Sequence, residues 1–545
     1  MPGKSSPHLS LENAMLLYAA AYFLVALGVH LAFFPIGDIG VETDFFGDLV
    51  VAAQKLVLRD FSVASYPYKG PFYSFALVFV RLFVRDWYLS GVVLNGLCAA
   101  ASLIVIFRTL VKLYGRTTAF LATIAVSLGS QYFILAHKAS SDMLFLFLCY
   151  SAINILFMDA FSWRRVIGAG ILSAFAFLTR YTGIFLPAAL VAMSLVNPWG
   201  WPWRRRLAAV SAYAVAFLVV CAPWLVKNVD EAGSLLATRN VDTVVEEFYG
   251  GPRATAIPAG GFASIRQVIV HDPAHFIRHY LFNIARHLWL DMWNLLGVEL
   301  AILVYFAVLR MLFRPPTRKQ WAFLVFAACF LLVISAAFFL PRFSLPLTPV
   351  YYAILFSMLI ALQGMRRFPL AAELDLLRAQ RSDAARKERA AAQKGSRKGK
   401  TAPTLTPARA VTVCIVALVF ILHVRSVVET EKRYYDQRPM YILEAARFLK
   451  AHEAERRRTE KAIVMARKPH IAYYSDMTYR QYPQSISYIR EIVDHARSQG
   501  VSYLVLSDIE RSYTGDSKGW QRLGMIEGVE TIYTKPSITI YELAF

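Results

Sequence analysis

The sequence predicts a polytopic α-helical membrane protein with about eleven transmembrane helices, outer interfacial helices and a small C-terminal α/β domain. Three observations predict this fold class. Of the 545 residues, 57% are hydrophobic and only 17% are charged, whereas soluble domains carry about 25% charged residues. Long apolar segments recur up to residue 427, and beyond it short helix-like and strand-like segments alternate.

The apolar segments define the predicted spans, since a crossing helix needs about 20 apolar residues. The first apolar run, residues 15–36, exceeds the about 7–15 residues of a signal-peptide core, so we expect an uncleaved span. Residues 71–84 are too short to cross and are expected to lie in the interface. The predicted spans are 13–35, 88–110, 118–136, 141–159, 166–180, 183–199, 207–226, 286–312, 320–340, 343–363 and 409–427.

The positive charges support this threading. The net charge is +21, but the basic residues cluster at the ends of apolar runs, which favours membrane orientation over nucleic-acid binding. With the N-terminus in the cytoplasm, every strongly basic loop is cytoplasmic. These loops contain Arg108, Lys112 and Arg116; Arg164 and Arg165; Arg204, Arg205 and Arg206; and Arg310, Arg314, Arg318 and Lys319.

This threading predicts the domain organisation. Residues 1–427 form the membrane domain, with outer loops at 41–87, which carries the interfacial helices, and at 227–285. Residues 364–408 form a basic cytoplasmic linker, and residues 366–400 contain 11 basic and 4 acidic residues. The composition is typical of a flexible segment, and binding to anionic lipid is the alternative.

Residues 428–545 are predicted to form an outer α/β domain. The segment "MYILEAARFLKAHEAE" has an amphipathic helical pattern, and residues 486–498 indicate a second helix. The segments "KAIVMA", "VSYLVLS", "ETIYTK" and "SITIYEL" are strand-like.

Acidic residues follow the first span. Asp44 and Asp48 have an i, i+4 spacing, which places both on one face of a helix. Acids beside a membrane are costly and favour a functional role. The alternative is the solvated face of an interfacial helix, and we expect Asp48 and Glu42 to be solvated neighbours.

Three basic residues fall at outer span ends. Lys69, Arg180 and Arg342 occur in "YPYKGPF", "FLTRYTGIF" and "FLPRFSLPL". If they converge, they suit a phosphate or pyrophosphate, because Lys and Arg give charge-assisted hydrogen bonds to phosphate oxygens. The alternative is independent snorkelling of each side chain. Asp142, in "HKASSD", opens a span, where a helix-capping role is the alternative to a functional one.

The sequence predicts no cofactor and no metal. The five cysteines lie in apolar runs without metal-ligand spacing. His271, His275 and His279 have an i, i+4, i+8 spacing, but the glutamate of a zincin motif is missing, so an interfacial helix is favoured over a zinc site. No phosphate loop, dinucleotide fingerprint or nucleophile elbow occurs, which makes nucleotide sugars unexpected as direct substrates.

The ordered set of these features resembles the GT-C glycosyltransferases that use polyprenyl-phosphate sugars. The features are an acid after the first span, a lysine before a proline-led helix, an acid opening a later span, "LTRYTG", "APWLVKN", and "RFSLPLTP" at a late span. The chain is most similar to aminoarabinose transferases to lipid A, protein O-mannosyltransferases and rhizobial galacturonic acid transferases. The resemblance covers most of residues 13–363, and a soluble outer C-terminal domain is common in the group.

The resemblance implies roles for individual residues. Asp44 matches the catalytic acid, with the expected alanine at Ala52, and Lys69 matches the lysine before the proline-led helix. The sequence has "KGP" where "KPP" is commoner. Asp142 matches the second outer acid, and Asp48 is a further candidate for acceptor binding.

Two arginines complete the set that the resemblance implies. Arg180 matches the basic residue of "LTKG", with Tyr181 inserted after it, and Arg342 matches the arginine of the late motif, with Phe343 in place of tyrosine. Lys69, Arg180 and Arg342 would hold the donor phosphate, and Asp44 would accept the proton of the acceptor hydroxyl in an inverting displacement.

The implied partners are a polyprenyl-phosphate sugar, a glycan, lipid A-like or protein acceptor, and membrane lipids. The implied location is the bacterial inner membrane, with the site and the C-terminal domain in the periplasm. A lipid-linked sugar flippase or another carrier is the alternative, although such carriers usually have repeated halves and polar residues at mid-membrane depth. A structural scaffold would not explain acids and bases at matching outer span ends.

Overall fold

A computed structural model of the protein describes the chain except for several short segments and the region between residues 363 and 407. The predicted linker 364–408 lies almost entirely outside the described residues. These residues are 11–157, 161–250, 261–262, 264–363, 407–456, 460–483, 489–513 and 523–544.

Helices occur at every position where the sequence predicts a span. Apolar side chains dominate them, and one large buried cluster joins them. Together with the helices that lie between the predicted spans, the described helices up to residue 436 are, in chain order, α1 (Leu11–Phe33), α2 (Val50–Val57), α3 (Phe72–Arg81), α4 (Trp87–Tyr114), α5 (Arg116–Ser127), α6 (Ser130–His137), α7 (Asp142–Leu156), α8 (Trp163–Thr179), α9 (Phe185–Val196), α10 (Trp203–Ala232), α11 (Asn240–Tyr249), α12 (Ile265–His271), α13 (Pro273–Leu290), α14 (Val298–Phe313), α15 (Arg318–Ile334), α16 (Thr348–Gln363) and α17 (Pro407–Asp436).

Fewer helices than predicted are long enough to cross a membrane unaided. Within the described residues, five segments have sufficient length and hydropathy, and a bent pair brings the number to six. The count of eleven spans therefore stays a prediction. The five are Leu11–Phe33, Trp87–Tyr114, Trp203–Ala232, Pro341–Leu362 and Ala410–Arg456.

Two predicted spans are not continuous helices. Residues 118–136 were expected to form one helix, but α5 and α6 meet at 63° around Gly129. Residues 286–312 are divided by a π-helical turn, Asp291–Leu296, and by Gly297. Gly297 has φ +87°, a non-helical conformation that glycine adopts without steric cost, so the regular helix is interrupted there. Hydropathy alone does not report such breaks.

The segment between α1 and α4 contains the two predicted interfacial helices. A π-helical turn, Phe45–Leu49, leads into α2, and a 3₁₀ turn, Val63–Ser65, precedes α3. Their apolar residues Phe45, Leu49, Tyr73 and Leu77 are buried against the helical core. Both helices therefore pack against the helical bundle.

The C-terminal region forms the predicted α/β fold. Among its described residues, five strands have the order β2-β1-β3-β5-β4, in which β1 pairs in parallel with β2 and β3, and β5 pairs antiparallel with β3 and β4. The elements are α18 (Met440–Arg456), β1 (Ile463–Ala466), α19 (His470–Ser475), β2 (Thr478–Gln481), α20 (Ile489–Ser498), β3 (Tyr503–Ser507), α21 (Asp508–Tyr513), β4 (Val529–Lys535) and β5 (Ile538–Leu543).

Strand β2 was not predicted, because "TYRQ" is short, polar and partly exposed at the sheet edge. The predicted boundary at residue 427 falls inside α17, which continues without a break to Asp436. The domain boundaries therefore stay predictions.

Helix α19 holds the loop that follows α1. The ring of Phe46 lies 4.6 Å from that of His470 and 4.7 Å from that of Tyr473, measured between centroids. The amide of Gly37 donates to the Tyr474 hydroxyl (2.9 Å), and His470 Nε2 lies 3.0 Å from the Asp38 carbonyl oxygen. The C-terminal region thus packs directly on the segment that carries Asp44.

Candidate functional site

A cavity of about 740 Å³ brings together five of the six residues selected from the sequence. Asp44, Lys69, Asp142, Arg180 and Arg342 all line it. One wall is apolar and is formed largely by α15 and the segment after it, including Phe330, Leu332, Val333, Ile334, Ala337 and Phe338. The charged residues come from five separate segments of the chain, so their convergence is a property of the fold.

Asp44 is the centre of the charged group. Lys69 Nζ lies 2.7 Å from Asp44 Oδ2, and Arg342 Nη2 lies 3.6 Å from the same oxygen. Arg342 is held in place because its Nη1 donates to the Val41 carbonyl (3.1 Å). Burial alone would raise the pKa of Asp44, but Lys69 and Arg342 outweigh it and hold that pKa well below its usual range. The carboxylate is therefore ionised throughout the physiological range.

Arg180 and Asp142 form a second ion pair. Arg180 Nη1 lies 2.5 Å from Asp142 Oδ1 and 3.4 Å from Ser141 Oγ. The Asp142 side chain is 6% exposed, so this pair is largely desolvated. Asp142 is the first residue of α7 and Arg180 follows α8 in an extended conformation. The side chain of Asp142 serves this ion pair in addition to its favourable position at a helix N-terminus.

The unusual "KGP" sequence has a steric explanation. A Cβ atom at Gly70 would lie 2.3 Å from the Leu178 carbonyl oxygen, which is closer than any side chain tolerates. The close approach brings the turn containing Lys69 against the end of α8, two residues before Arg180. Gly183 is similarly confined, since a Cβ there would lie 2.6 Å from the Phe177 amide nitrogen.

Asp48 does not line the cavity, although it follows Asp44 by four residues. Residues Phe45–Leu49 are wound as a π-helix, which alters the alignment that an α-helical i, i+4 spacing would give. Burial raises the pKa of Asp48 to about 6, and the neighbouring Asp44 adds to this while Lys69 opposes it. A role for Asp48 in acceptor binding stays a prediction.

Glu42 was expected to be solvated, and this was wrong. Its side chain is fully buried. It accepts hydrogen bonds from the Asp38 amide (2.7 Å), the Tyr88 hydroxyl (3.1 Å) and the Ala139 amide (2.6 Å). Three donors compensate for the loss of water, and the sequence carries no local signal for contacts with such distant partners.

The loop 227–285, which is predicted to lie outside the membrane, supplies a neutral polar wall that sequence reasoning missed. Thr238, Asn240 and Thr243 line the cavity together with Tyr68. Asn240 Nδ2 donates to the Tyr68 carbonyl (2.9 Å), and the Arg239 amide donates to the Pro67 carbonyl (2.7 Å). This loop is therefore hydrogen-bonded to the residues that immediately precede Lys69.

The three spaced histidines do not share one helix. Helix α12 ends at His271 and α13 begins at Pro273, so the i, i+4, i+8 register is interrupted. His275 Nε2 lies 3.0 Å from the Phe248 carbonyl oxygen and His279 Nε2 lies 3.2 Å from Glu247 Oε1. Within the described parts of the chain, no three His, Cys, Asp or Glu side chains are grouped as metal ligands would be.

Comparisons with known proteins agree with this architecture. Residues 69–226 match the family described as dolichyl-phosphate-mannose-protein mannosyltransferase, a segment that contains Lys69, Asp142 and Arg180. No curated protein matches the chain.

Two solved structures are similar over nearly the whole chain. ArnT from Cupriavidus metallidurans, crystallised with undecaprenyl phosphate, is 15% identical with a TM-score of 0.56, and the match covers 97% of each chain. The oligosaccharyltransferase AglB from Archaeoglobus fulgidus is 12% identical with a TM-score of 0.52, covering 91% of this chain and 69% of AglB. The family match over residues 69–226 and the fold shared with these structures agree with the resemblance to GT-C glycosyltransferases that the sequence shows.

Proposed function

We propose that the protein transfers a sugar from a polyprenyl-phosphate donor to an acceptor hydroxyl at the periplasmic face of a bacterial inner membrane. One observation carries this proposal: Lys69, Arg180 and Arg342 converge with Asp44 on a cavity that has an extended apolar wall. In a phosphate attached to a long hydrocarbon chain, the phosphate matches the cationic side chains and the hydrocarbon matches the apolar wall. The polyprenyl-phosphate-bound form of the similar ArnT supports the same ligand class.

The three cations are proposed to bind the donor phosphate. They face two carboxylates, Asp44 and Asp142, so the five charged residues carry three positive and two negative charges, a net charge of +1. A phosphate diester adds a negative charge that this excess attracts. When the glycosidic bond breaks, the leaving phosphate gains a second charge, and preorganised cations stabilise that charge in the transition state.

Asp44 is proposed to act as the general base. Its low pKa keeps it ionised but makes it a weak base while it is paired with Lys69 and Arg342. A bound phosphate would compete for both cations and would raise the basicity of Asp44. The base would therefore become effective when the donor is in place, and an acceptor attacking from the face opposite the phosphate would invert the anomeric configuration.

Asp142 is proposed to orient Arg180 towards the phosphate. The two side chains are in contact at 2.5 Å, and Asp142 is nearly inaccessible to solvent. A guanidinium has five donors in a planar arrangement, so pairing with one carboxylate leaves other donors for the substrate. Asp142 would act through Arg180, and contact with the acceptor is the alternative role.

The reaction can be tested with purified protein in nanodiscs. The donor is a polyprenyl-phosphate sugar that carries the radiolabel in its sugar. The acceptors supplied with it are a glycan, a lipid A-like molecule, or a protein or peptide. We expect labelled sugar to leave the polyprenyl phosphate for an acceptor or water, and we expect Asp44→Asn to prevent this. A flippase would move the intact lipid across the bilayer without cleaving it, and that result would contradict the proposal. Profiles of glycolipids and glycoproteins from a deletion strain would then identify the acceptor.

A further inference from the structure

The buried carboxylate of Glu42 joins the two segments that carry the acids of the site. Its Oε2 atom accepts the Asp38 amide at 2.7 Å, and its Oε1 atom accepts the Ala139 amide at 2.6 Å. Asp38 belongs to the segment leading to Asp44, and Ala139 lies three residues before Asp142. The Tyr88 hydroxyl of α4 also donates to Oε2, at 3.1 Å.

We propose that Glu42 is a positioning residue, which through its carboxylate fixes the segment of Asp44 relative to the segment of Asp142, the ion-pair partner of Arg180. This inference rests on the proposed function and deepens it. Glu42 does not line the cavity, so it acts on the reaction only through the residues that it holds.

The backbone of Glu42 strengthens this arrangement on the Asp44 side. Its carbonyl oxygen accepts the amides of Phe45 (3.0 Å) and Phe46 (3.2 Å). These bonds begin the π-helical turn that Asp44 precedes. The side chain and the main chain of Glu42 therefore fix opposite ends of the short stretch that contains Asp44.

The other segment is also anchored where Glu42 reaches it. Asn95 Nδ2 in α4 donates to the Lys138 carbonyl (2.6 Å) and to Ser140 Oγ (3.1 Å), on either side of Ala139. Asn95 therefore holds the backbone on both sides of the Ala139 amide that donates to Glu42. Loss of the carboxylate would leave that buried amide without its acceptor, at a cost typical of an unsatisfied group.

The surroundings make the charge of Glu42 sensitive to pH near neutrality. Burial raises the pKa of Glu42 to about 7, while Lys138 and the Asp38 and Ala139 amides lower it and the Asp38 charge raises it. Protonation as the pH falls would weaken the carboxylate as an acceptor for two amides. The charged or titratable groups that face Glu42 from the neighbouring segments are Asp38, Lys138, Tyr73, Tyr88 and Tyr474.

Glu42→Gln tests the proposal, since it keeps the size of the side chain and replaces one acceptor oxygen by a donor. We expect faster hydrogen–deuterium exchange at the Ala139 or Asp38 amide. We also expect kcat to fall by about 10²-fold, the loss typical of a misplacement of about 1 Å, with the donor KM nearly unchanged. The inflection of kcat near pH 7 in the native protein should disappear. Tyr88→Phe, which retains both backbone bonds, should change kcat much less.

Unchanged exchange together with an unchanged pH profile in Glu42→Gln would overturn the proposal. The proposal would also be overturned if kcat in Glu42→Gln fell only in proportion to the amount of folded protein and the inflection of kcat near pH 7 remained. If Glu42→Gln does not fold, Glu42→Asp carries the same test, because the shorter charged side chain reaches only one segment. If the native protein transfers no sugar, the proposed function fails, and the exchange measurement still decides whether Glu42 joins the two segments.

Discussion

Lys69 Nζ lies 2.7 Å from Asp44 Oδ2, so the residue assigned to the donor phosphate and the residue assigned to proton acceptance form an ion pair. Lys69 is 13% exposed and Asp44 is 40% exposed, both at the cavity. A phosphate entering the cavity would compete with Asp44 for the lysine. Donor binding and activation of the base are therefore coupled through one contact.

Replacing Lys69 by glutamine should weaken both donor binding and turnover. A hydrogen bond to a charged group contributes about 1.5–3 kcal/mol, so we expect kcat/KM for the donor to fall about 10- to 100-fold. Steady-state kinetics with varied donor would measure this. Lys55→Gln is the matched control, because Lys55 bonds to Ser65 Oγ (3.3 Å) outside the cavity. Equal losses in the two variants would contradict the assignment of Lys69.

A double variant should separate the contribution of the Arg180–Asp142 ion pair to stability from the contribution of Arg180 to transfer activity. Arg180→Ala leaves a carboxylate that is 6% exposed without its partner, which should cost about 3 kcal/mol of stability. The double variant Arg180→Ala/Asp142→Asn should regain much of that stability in thermal unfolding but no transfer activity. Recovery of activity along with stability would show that Arg180 does not bind the donor.

Gly70→Ala should lower both stability and activity. The new Cβ would lie 2.3 Å from the Leu178 carbonyl oxygen, and relieving that clash must move the Lys69 turn away from α8. Overpacking of this kind costs about 1–3 kcal/mol. Gly168→Ala within α8 is the control, since nothing lies within 4 Å of its added Cβ, and it should be neutral or stabilising. Normal kinetics in Gly70→Ala would refute the need for this close approach.

The raised pKa of Asp48 predicts that the stability of the protein depends on pH. Burial raises its pKa from 3.8 to about 6, so the folded protein retains the proton more strongly than the unfolded chain. The contribution of neutral Asp48 to the free energy of unfolding is fully present below about pH 4 and is lost as the pH rises towards 6. Asp48→Asn should therefore melt higher than the native protein above pH 6, and the difference should vanish near pH 4. A difference that is constant with pH would contradict this account.

The charged site was largely predictable from the sequence, because its residues lie at or beside predicted outer span ends and match the ordered motifs of the resembled family. Burying a charge in such a place is costly, so a functional reason is expected. That argument identifies Asp44, Lys69, Asp142, Arg180 and Arg342, all of which line one cavity. It cannot report their pairing, which depends on how distant segments approach.

The remaining features depend on tertiary contacts that leave no local pattern. Glu42 looks like a solvated loop residue, yet its partners are supplied by α4 and by the segment before α7. Thr238, Asn240 and Thr243 lie in a predicted outer loop, in a stretch without a motif. They reach the cavity because the loop is hydrogen-bonded to residues 67 and 68. The bend between α5 and α6 is likewise invisible to hydropathy, which measures composition and not direction.

The most direct test of the central claim is transfer by Asp44→Asn, compared with Asp48→Asn under saturating polyprenyl-phosphate sugar. Asn cannot accept the proton, so we expect kcat to fall about 10²- to 10⁴-fold. Binding of polyprenyl phosphate should be retained, because Lys69 is freed from its ion pair. Because Asp48 does not line the cavity, Asp48→Asn should still cleave sugar from the donor, even if its predicted role in acceptor binding lowers the rate of transfer to the acceptor. Near-normal turnover in Asp44→Asn would contradict the account.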